Sequence, residues 1–333
     1  MAMAISPSDN RLSWPGSVSL EHGDGWVKPW RIPHNQLPLF VSDDLIGRAA
    51  MPAGVRIAFR STAQTVRGRL APQEEIGRLD LCCDGALHAS LSLADQDRFS
   101  FEDLPPGEKL IELWLPQFGE FRLRSLELSE GSTVVPFEDT RPRWVTYGSS
   151  ITQCRTAESP IYTWPAIVAR GRGLNLTCLG YGGQCHLEPM VACMMRDLPA
   201  DFLSMCVGIN VYGHTSLNLR TFRPAIIGFA QILRERHPET PLAIMSPICS
   251  PPRETTPNGV GFTLSAMREE VAEAVSALQA CGDRNVYYIN GLDVFGPEFA
   301  HLLSDELHPN AEGYKIMGKN FLDKVVARVF PGE

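Results

Sequence analysis

The hydrophobic rhythm of the chain changes once, near residue 144, and the change demands two architectures in one polypeptide. Before it, apolar residues recur at every second position, as in Val55, Ile57 and Phe59 alternating with Arg56, Ala58 and Arg60, and again in Phe121-Arg-Leu-Arg and Leu126-Glu-Leu. Period two sends alternate side chains to opposite faces, so these segments read as half-buried strands. Between Leu79-Asp-Leu and Leu87-His-Ala-Ser-Leu stands Asp84-Gly85, a pair that tolerates the positive φ angles of a tight hairpin. No helix-period stretch of substantial length interrupts residues 15 to 130. An all-β, jelly-roll-like sandwich is therefore expected over residues 1–140.

After Trp144, short apolar strands (RWVTY, NLTCL, FLSMCV, LAIMS, NVYYIN) alternate with amphipathic segments such as Phe222 to Arg236 and Leu264 to Ala280. Repeated βαβ units imply a parallel sheet covered by helices on both faces, an α/β/α domain over residues 141–333, with ligands bound beyond the carboxyl ends of the strands. Glu130-Gly-Ser-Thr and Phe137-Glu-Asp-Thr-Arg-Pro-Arg read as the polar connection between the two parts. A length of 333 residues fits two domains.

Charge narrows the partners. Thirty Lys and Arg against 38 Asp and Glu leave −8, without a basic run, which argues against nucleic acid or an anionic membrane as the partner and favours small molecules. The opening MAMAISPSDNRLSWPG has neither the basic nor the apolar stretch of a secretory signal, and no segment has the apolar length that spans a bilayer, so a cytoplasmic protein is expected. Nine cysteines without a Cys-x-x-Cys pair indicate reduced, mostly buried thiols rather than a disulfide framework or zinc ribbon.

Four segments just past predicted strands carry chemistry. In Val145-Thr-Tyr-Gly148-Ser149-Ser150, the glycine lets the chain turn off its strand and the serines stand at the start of the next helix, where developing negative charge is favoured. Asp305-Glu-Leu-His308-Pro-Asn supplies a base and a carboxylate from one loop, the pair that turns serine into a nucleophile. Gly182-Gly183-Gln184 offers an unobstructed amide, and Val207-Gly208-Ile209-Asn210 a carboxamide donor. Each alone reads as a turn or a cap. Together, in order along one sheet edge, they describe a nucleophile, a base and donors for an oxyanion.

This ordered set resembles the SGNH hydrolases, or GDSL esterases, over roughly residues 143 to 330. The resemblance implies a flavodoxin-like α/β/α fold, Ser150 as nucleophile, His308 as base, Asp305 as its carboxylate partner, and an oxyanion hole from the amides of Ser150 and Gly183 with the Asn210 side chain. Ser149 stands where the common motif has Asp, and Asn210 is followed by Val rather than Asp. The sandwich-plus-SGNH arrangement also resembles a cytoplasmic branch that includes acyltransferases tailoring natural products such as tetracycline-type polyketides.

Other chemistries find less support. Cys185-His186 could pair a thiol with an imidazole, but sequence neighbours tend to point apart; Cys154 would share the helical face of Ser150 as a core thiol; His186 and His214 could line a pocket or pack as structural histidines. No metal-ligand spacing, no phosphate-binding loop and no Gly-x-Ser-x-Gly elbow is present, so neither a metal nor a cofactor is expected. Trp14, Trp26, Trp30 and Trp114 could stack on sugars, though packing is the commoner use of tryptophan in a sandwich. The expected activity is acyl transfer from an activated donor, acyl-CoA, to a small-molecule hydroxyl. The alternatives are ester hydrolysis, for instance on an acylated carbohydrate, and a binding protein with an inactive catalytic domain.

Overall fold

Asp84 and Gly85 adopt φ angles of 49° and 80° and turn the chain between the antiparallel strands Arg78–Cys83 and Ala86–Ser92, as predicted. The hairpin edges a five-stranded sheet in a computed structural model that describes residues 2–73 and 75–331. The order of that sheet is Val134–Pro136, Arg56–Ser61, Lys109–Trp114, Arg78–Cys83, Ala86–Ser92. A six-stranded sheet faces it: Ser19–Gly23, Trp26–Trp30, Leu123–Leu128, Val66–Leu70 and Arg98–Phe101, with Met3–Ile5 also paired to Leu123–Leu128. Ile57, Phe59, Leu81 and Leu113 from one sheet and Val27, Phe99, Leu123 and Leu126 from the other share one apolar core, which makes a sandwich.

Two details depart from the period-two reading. The strand Arg56–Ser61 is buried on both faces at its start, because the Arg56 guanidinium meets Glu112 at 3.6 Å and Asp139 at 3.5 Å and lies over the Trp114 ring. An arginine with carboxylate partners thus occupies a position that alternation assigns to solvent. A seven-residue helix, Asp43–Ala49, and a 3-10 segment, His34–Leu39, also sit within the β-rich part; Ser42 caps the helix by accepting from the Leu45 amide. Trp14, Trp30 and Trp114 are buried and Trp26 is half-buried, so packing accounts for most of these rings.

One compact unit comprises the chain up to Arg141 with Glu158–Ile161 and Asn175–Cys178, and the second comprises the rest. A third sheet is built from β1 (Arg143–Gly148), β2 (Asn175–Gly180), β3 (Phe202–Cys206), β4 (Leu242–Met245) and β5 (Val286–Ile289), in the order β2-β1-β3-β4-β5. Strands β1, β3, β4 and β5 run parallel. This is the flavodoxin-like strand order, whose switch point lies at the carboxyl end of β1. The helices are α1 (Ser150–Gln153), α2 (Trp164–Arg172), α3 (Pro189–Asp197), α4 (Ile209–His214), α5 (Phe222–Arg234), α6 (Leu264–Ala280), α7 (Gly291–Val294) and α8 (Ala311–Phe321). Helix α8 gives way to a π-helical turn, Leu322–Val326, before a last short helix, Ala327–Val329.

Aromatic packing connects β1 to the last helix. Phe321 of α8 lies 5.8 Å from the Trp144 ring of β1 and 4.8 Å from Trp164 of α2, and Trp144 stacks on Phe202 of β3. Such pairs add about 0.5–1.5 kcal/mol each beyond their buried area. Their consequence is positional: the helix that follows His308 is clamped to the strand that precedes Ser150. No helix among the described residues is long and apolar enough to cross a membrane.

Candidate active site

Gly148, the last residue of β1, has no room for a side chain: a Cβ there would lie 2.2 Å from Thr152 Oγ1 and 2.9 Å from Thr152 Cβ. The one-turn helix α1 folds back over this glycine. Ser149 is its N-cap, fully buried, with Oγ accepting from the Ile151 amide at 3.2 Å. Ser150 comes next, half-buried, and its Oγ is 2.7 Å from His308 Nε2. The structure therefore separates the adjacent serines, one as a cap and the other against the imidazole. Trp164 fixes the same turn by donating from Nε1 to the Ile151 carbonyl at 3.0 Å. Cys154, expected on the helical face of Ser150, instead ends α1 in the left-handed region at φ 61°, fully buried.

His308 and Asp305 share a tight loop. The His308 ring donates from Nδ1 to Asp305 Oδ2 at 2.7 Å, while Asp305 Oδ1 accepts the backbone N–H of His308 at 2.7 Å and of Leu307 at 3.2 Å. Burial alone would raise the Asp305 carboxyl; the hydrogen bonds from the ring and the backbone outweigh it and hold the carboxyl below the ordinary aspartate range. An ionised acceptor at Nδ1 leaves Nε2 as the basic nitrogen facing Ser150. Between them Glu306 takes φ 60°, a strained angle for a side-chain-bearing residue. Its carbonyl accepts from Ser250 Oγ at 2.7 Å and Arg253 Nη1 at 3.3 Å, and Asn310 caps α8 by accepting from the Gly313 amide.

Gly183 and Asn210 are drawn toward one loop. Tyr181 accepts the Gln184 amide at 2.9 Å, closing a turn with Gly182 and Gly183 at its centre and Gly183 at φ 76°. Gln153 of α1 accepts the Gly182 amide at 2.8 Å, which ties this turn to the turn carrying Ser150. Asn210, mostly buried, accepts the Cys185 amide on Oδ1 at 3.0 Å. Because that partner is a donor, the acceptor atom must be the carboxamide oxygen, and Nδ2 is left as the donating arm.

Gly180 packs its Cα against the backbone of α1, where a Cβ would lie 2.4 Å from Gln153 N and 2.6 Å from Thr152 C. Backbone cannot yield as a flexible side chain does. Gly180→Ala is accordingly expected to destabilise the protein by about 3 kcal/mol, read by urea unfolding; a loss under about 0.5 kcal/mol would show that α1 is free to move.

The rival cysteine reading fails on geometry. Cys185 is buried, burial pushes its thiol well above the ordinary range, and the His186 ring bonds to Ser216 and Gly183 instead. Among the described residues no three His, Cys, Asp or Glu side chains converge as a metal site requires. A groove of about 670 Å³ begins at His186 and Glu188 and runs along α5, with Leu217, Phe229 and Ile232 in its lining. Sequence reading missed Gln153, Ser250 and Arg253. Ser250 follows β4 in the proline-punctuated run Ser246-Pro-Ile-Cys-Ser250-Pro, on the edge where the other segments lie, and that placement was its available signal.

A profile of the GDSL-like lipase/acylhydrolase family matches residues 141–326. The chain belongs to this family. A profile of the SsfX3 N-terminal domain matches residues 12–124 of the GDSL-like chain. Over its whole length the GDSL-like protein is similar to the salicylyl-acyltransferase SsfX3 from a tetracycline biosynthetic pathway, with 36% identity, a TM-score of 0.93, and coverage of 100% of this chain and 99% of that one. Its fold is shared by a putative GDSL-like lipase from Bacteroides ovatus ATCC 8483 (20% identity, TM-score 0.81, coverage 99% and 98%). A family two carbohydrate esterase from Clostridium thermocellum shares it too (13% identity, TM-score 0.69, coverage 96% and 99%). No curated protein matches the GDSL-like chain. It is an enzyme of the acyltransferase or esterase class.

Proposed function

We propose that the protein is a serine acyltransferase that carries an acyl group from an activated thioester, acyl-CoA, to a hydroxyl of a small molecule by way of an acyl-Ser150 intermediate. The observation that carries the chemistry is the hydrogen-bonded series Ser150 Oγ, His308 Nε2, His308 Nδ1, Asp305 Oδ2, with 2.7 Å at each of its two hydrogen bonds. His308 Nε2 takes the Ser150 proton as Oγ bonds to the carbonyl carbon; the oxyanion is met by the Ser150 and Gly183 amides and the Asn210 Nδ2. Collapse breaks the carbon–sulfur bond, and the departing thiolate takes the proton from His308. An acceptor hydroxyl then gives His308 its proton and attacks the ester carbonyl, and Ser150 recovers its proton as it leaves. No metal or cofactor enters either step.

Transfer is favoured over hydrolysis by full-length similarity to a salicylyl-acyltransferase at 36% identity. The acyl-CoA donor implies a cytoplasmic setting. Hydrolysis would use the same residues with water as acceptor, so product partition decides: acyl-CoA is supplied with and without a panel of hydroxyl acceptors, and the ratio of acylated acceptor to free acid is measured. Transfer predicts acylated product at the expense of acid. Free acid alone across the panel identifies an esterase.

Asn210→Ala should slow acylation by about 10²- to 10³-fold in a folded protein, the usual worth of one oxyanion donor. The rate of p-nitrophenyl acetate turnover measures it, and an unchanged rate removes the carboxamide from the mechanism.

A further inference from the structure

The peptide that joins Glu306 to Leu307 lies, in sequence, between Asp305 and His308, and both of its polar ends are taken. Its N–H, on Leu307, is accepted by Asp305 Oδ1 at 3.2 Å. Its carbonyl, on Glu306, accepts from Ser250 Oγ at 2.7 Å and from Arg253 Nη1 at 3.3 Å. A peptide unit is planar, so these two groups do not turn independently: a carbonyl that leaves Ser250 takes the Leu307 N–H off the carboxylate. Glu306 also sits at φ 60°, an angle that a side-chain-bearing residue keeps only where its surroundings hold it. Ser250 is placed to hold it. The residue is buried, its backbone N–H is accepted by Glu254 Oε1 at 2.9 Å, and Glu254 is paired with Arg268 of α6 at 2.7 and 2.8 Å. Arg253 Nη1 donates to Ser250 Oγ at 2.9 Å, which leaves the hydroxyl proton for the Glu306 carbonyl.

We infer that Ser250 is a positioning residue for acyl transfer: it fixes the peptide between Glu306 and Leu307 from the carbonyl side, so that the N–H on the other side holds the Asp305 carboxylate against His308 Nδ1. The inference rests on the acyl-Ser150 reading above. Asp305 Oδ1 keeps two amides, those of Leu307 and His308, and with both in place Oδ2 is aimed at the ring at 2.7 Å. With the Leu307 amide gone, the carboxylate is free to swivel about the other, and the imidazolium formed on proton transfer loses part of its stabilisation. The Ser250 proton goes to a backbone carbonyl, so its hydroxyl takes no part in proton transfer.

The test asks whether the effect of Ser250 runs through Asp305. S250A removes the hydroxyl and leaves the Glu306 carbonyl to Arg253 alone. With p-nitrophenyl acetate, kcat should fall about tenfold while KM stays within about twofold, and reaction with a fluorophosphonate should slow by the same factor. A D305A background has no carboxylate to position, so adding S250A there should change the fluorophosphonate rate by less than about twofold. Wild-type kcat in S250A overturns the inference. So does a full tenfold loss that persists in D305A, which would mark a packing role only. If S250A does not fold, S250C takes its place, since a thiol is near in size and a poor donor, and the same losses are expected. S150A separates the two readings. An adduct persisting in S150A defeats the acyl-Ser150 proposal itself, whereas a silent S150A with a fully reactive S250A defeats only the role of Ser250.

Discussion

Ser150→Ala is expected to lower acylation by about 10⁶-fold, the scale of losing a nucleophile from a cooperating set. The neighbouring hydroxyl cannot substitute. Ser149 Oγ is fully buried and occupied by the Ile151 amide, whereas Ser150 Oγ faces His308 Nε2. Ser149→Ala should therefore keep most of the rate and lose about 1 kcal/mol of stability, the worth of an N-cap. Intact-protein mass after fluorophosphonate treatment reads both variants: one adduct in wild type and S149A, none in S150A. Loss of the adduct in S149A instead would reassign the nucleophile.

Asp305→Asn should cost about 10⁴-fold in kcat with the fold retained. Asp305 Oδ1 accepts two backbone N–H groups, from Leu307 and His308, so an asparagine oxygen is drawn to that side. Its NH₂ then points at His308 Nδ1, which must accept rather than donate. The imidazole proton moves to Nε2, and the base facing Ser150 can no longer take a proton. The carboxylate is held below the ordinary aspartate range, so Asp305 stays ionised throughout neutral and mildly acidic conditions and its own titration does not set an acidic limb near neutrality. Turnover of p-nitrophenyl acetate within tenfold of wild type would mean that another acceptor orients His308.

The alternation of strands and helices, the placement of Ser150, Gly183 and Asn210 just past strands, and the Asp305-x-x-His308 loop before the last helix were legible because short-range patterns encode them, whereas the flavodoxin-like strand order was implied only by the family resemblance. The distinction between Ser149 and Ser150 was half-legible, since only the caged turn over Gly148 shows which hydroxyl is sealed. Arg56 misled because its burial depends on Glu112 and Asp139, partners distant in sequence that no local period reports. Gln153, Ser250 and Arg253 were missed for the same reason: each acts through a backbone group of another loop, Gly182 or Glu306. The π-turn at Leu322–Val326 left no mark in the apolar spacing.

Ser150 and His308, the nucleophile and base of the mechanism proposed above, lie 158 residues apart, and His308 sits on the last loop before the terminal helix clamp. A ribosome adding about 5–20 residues per second exposes Ser150 roughly 8–30 seconds before His308 is made. During that interval the nascent chain carries a serine without a base. On the proposed mechanism reactivity is withheld until His308 is made, and a chain cut short before residue 308 is born chemically silent.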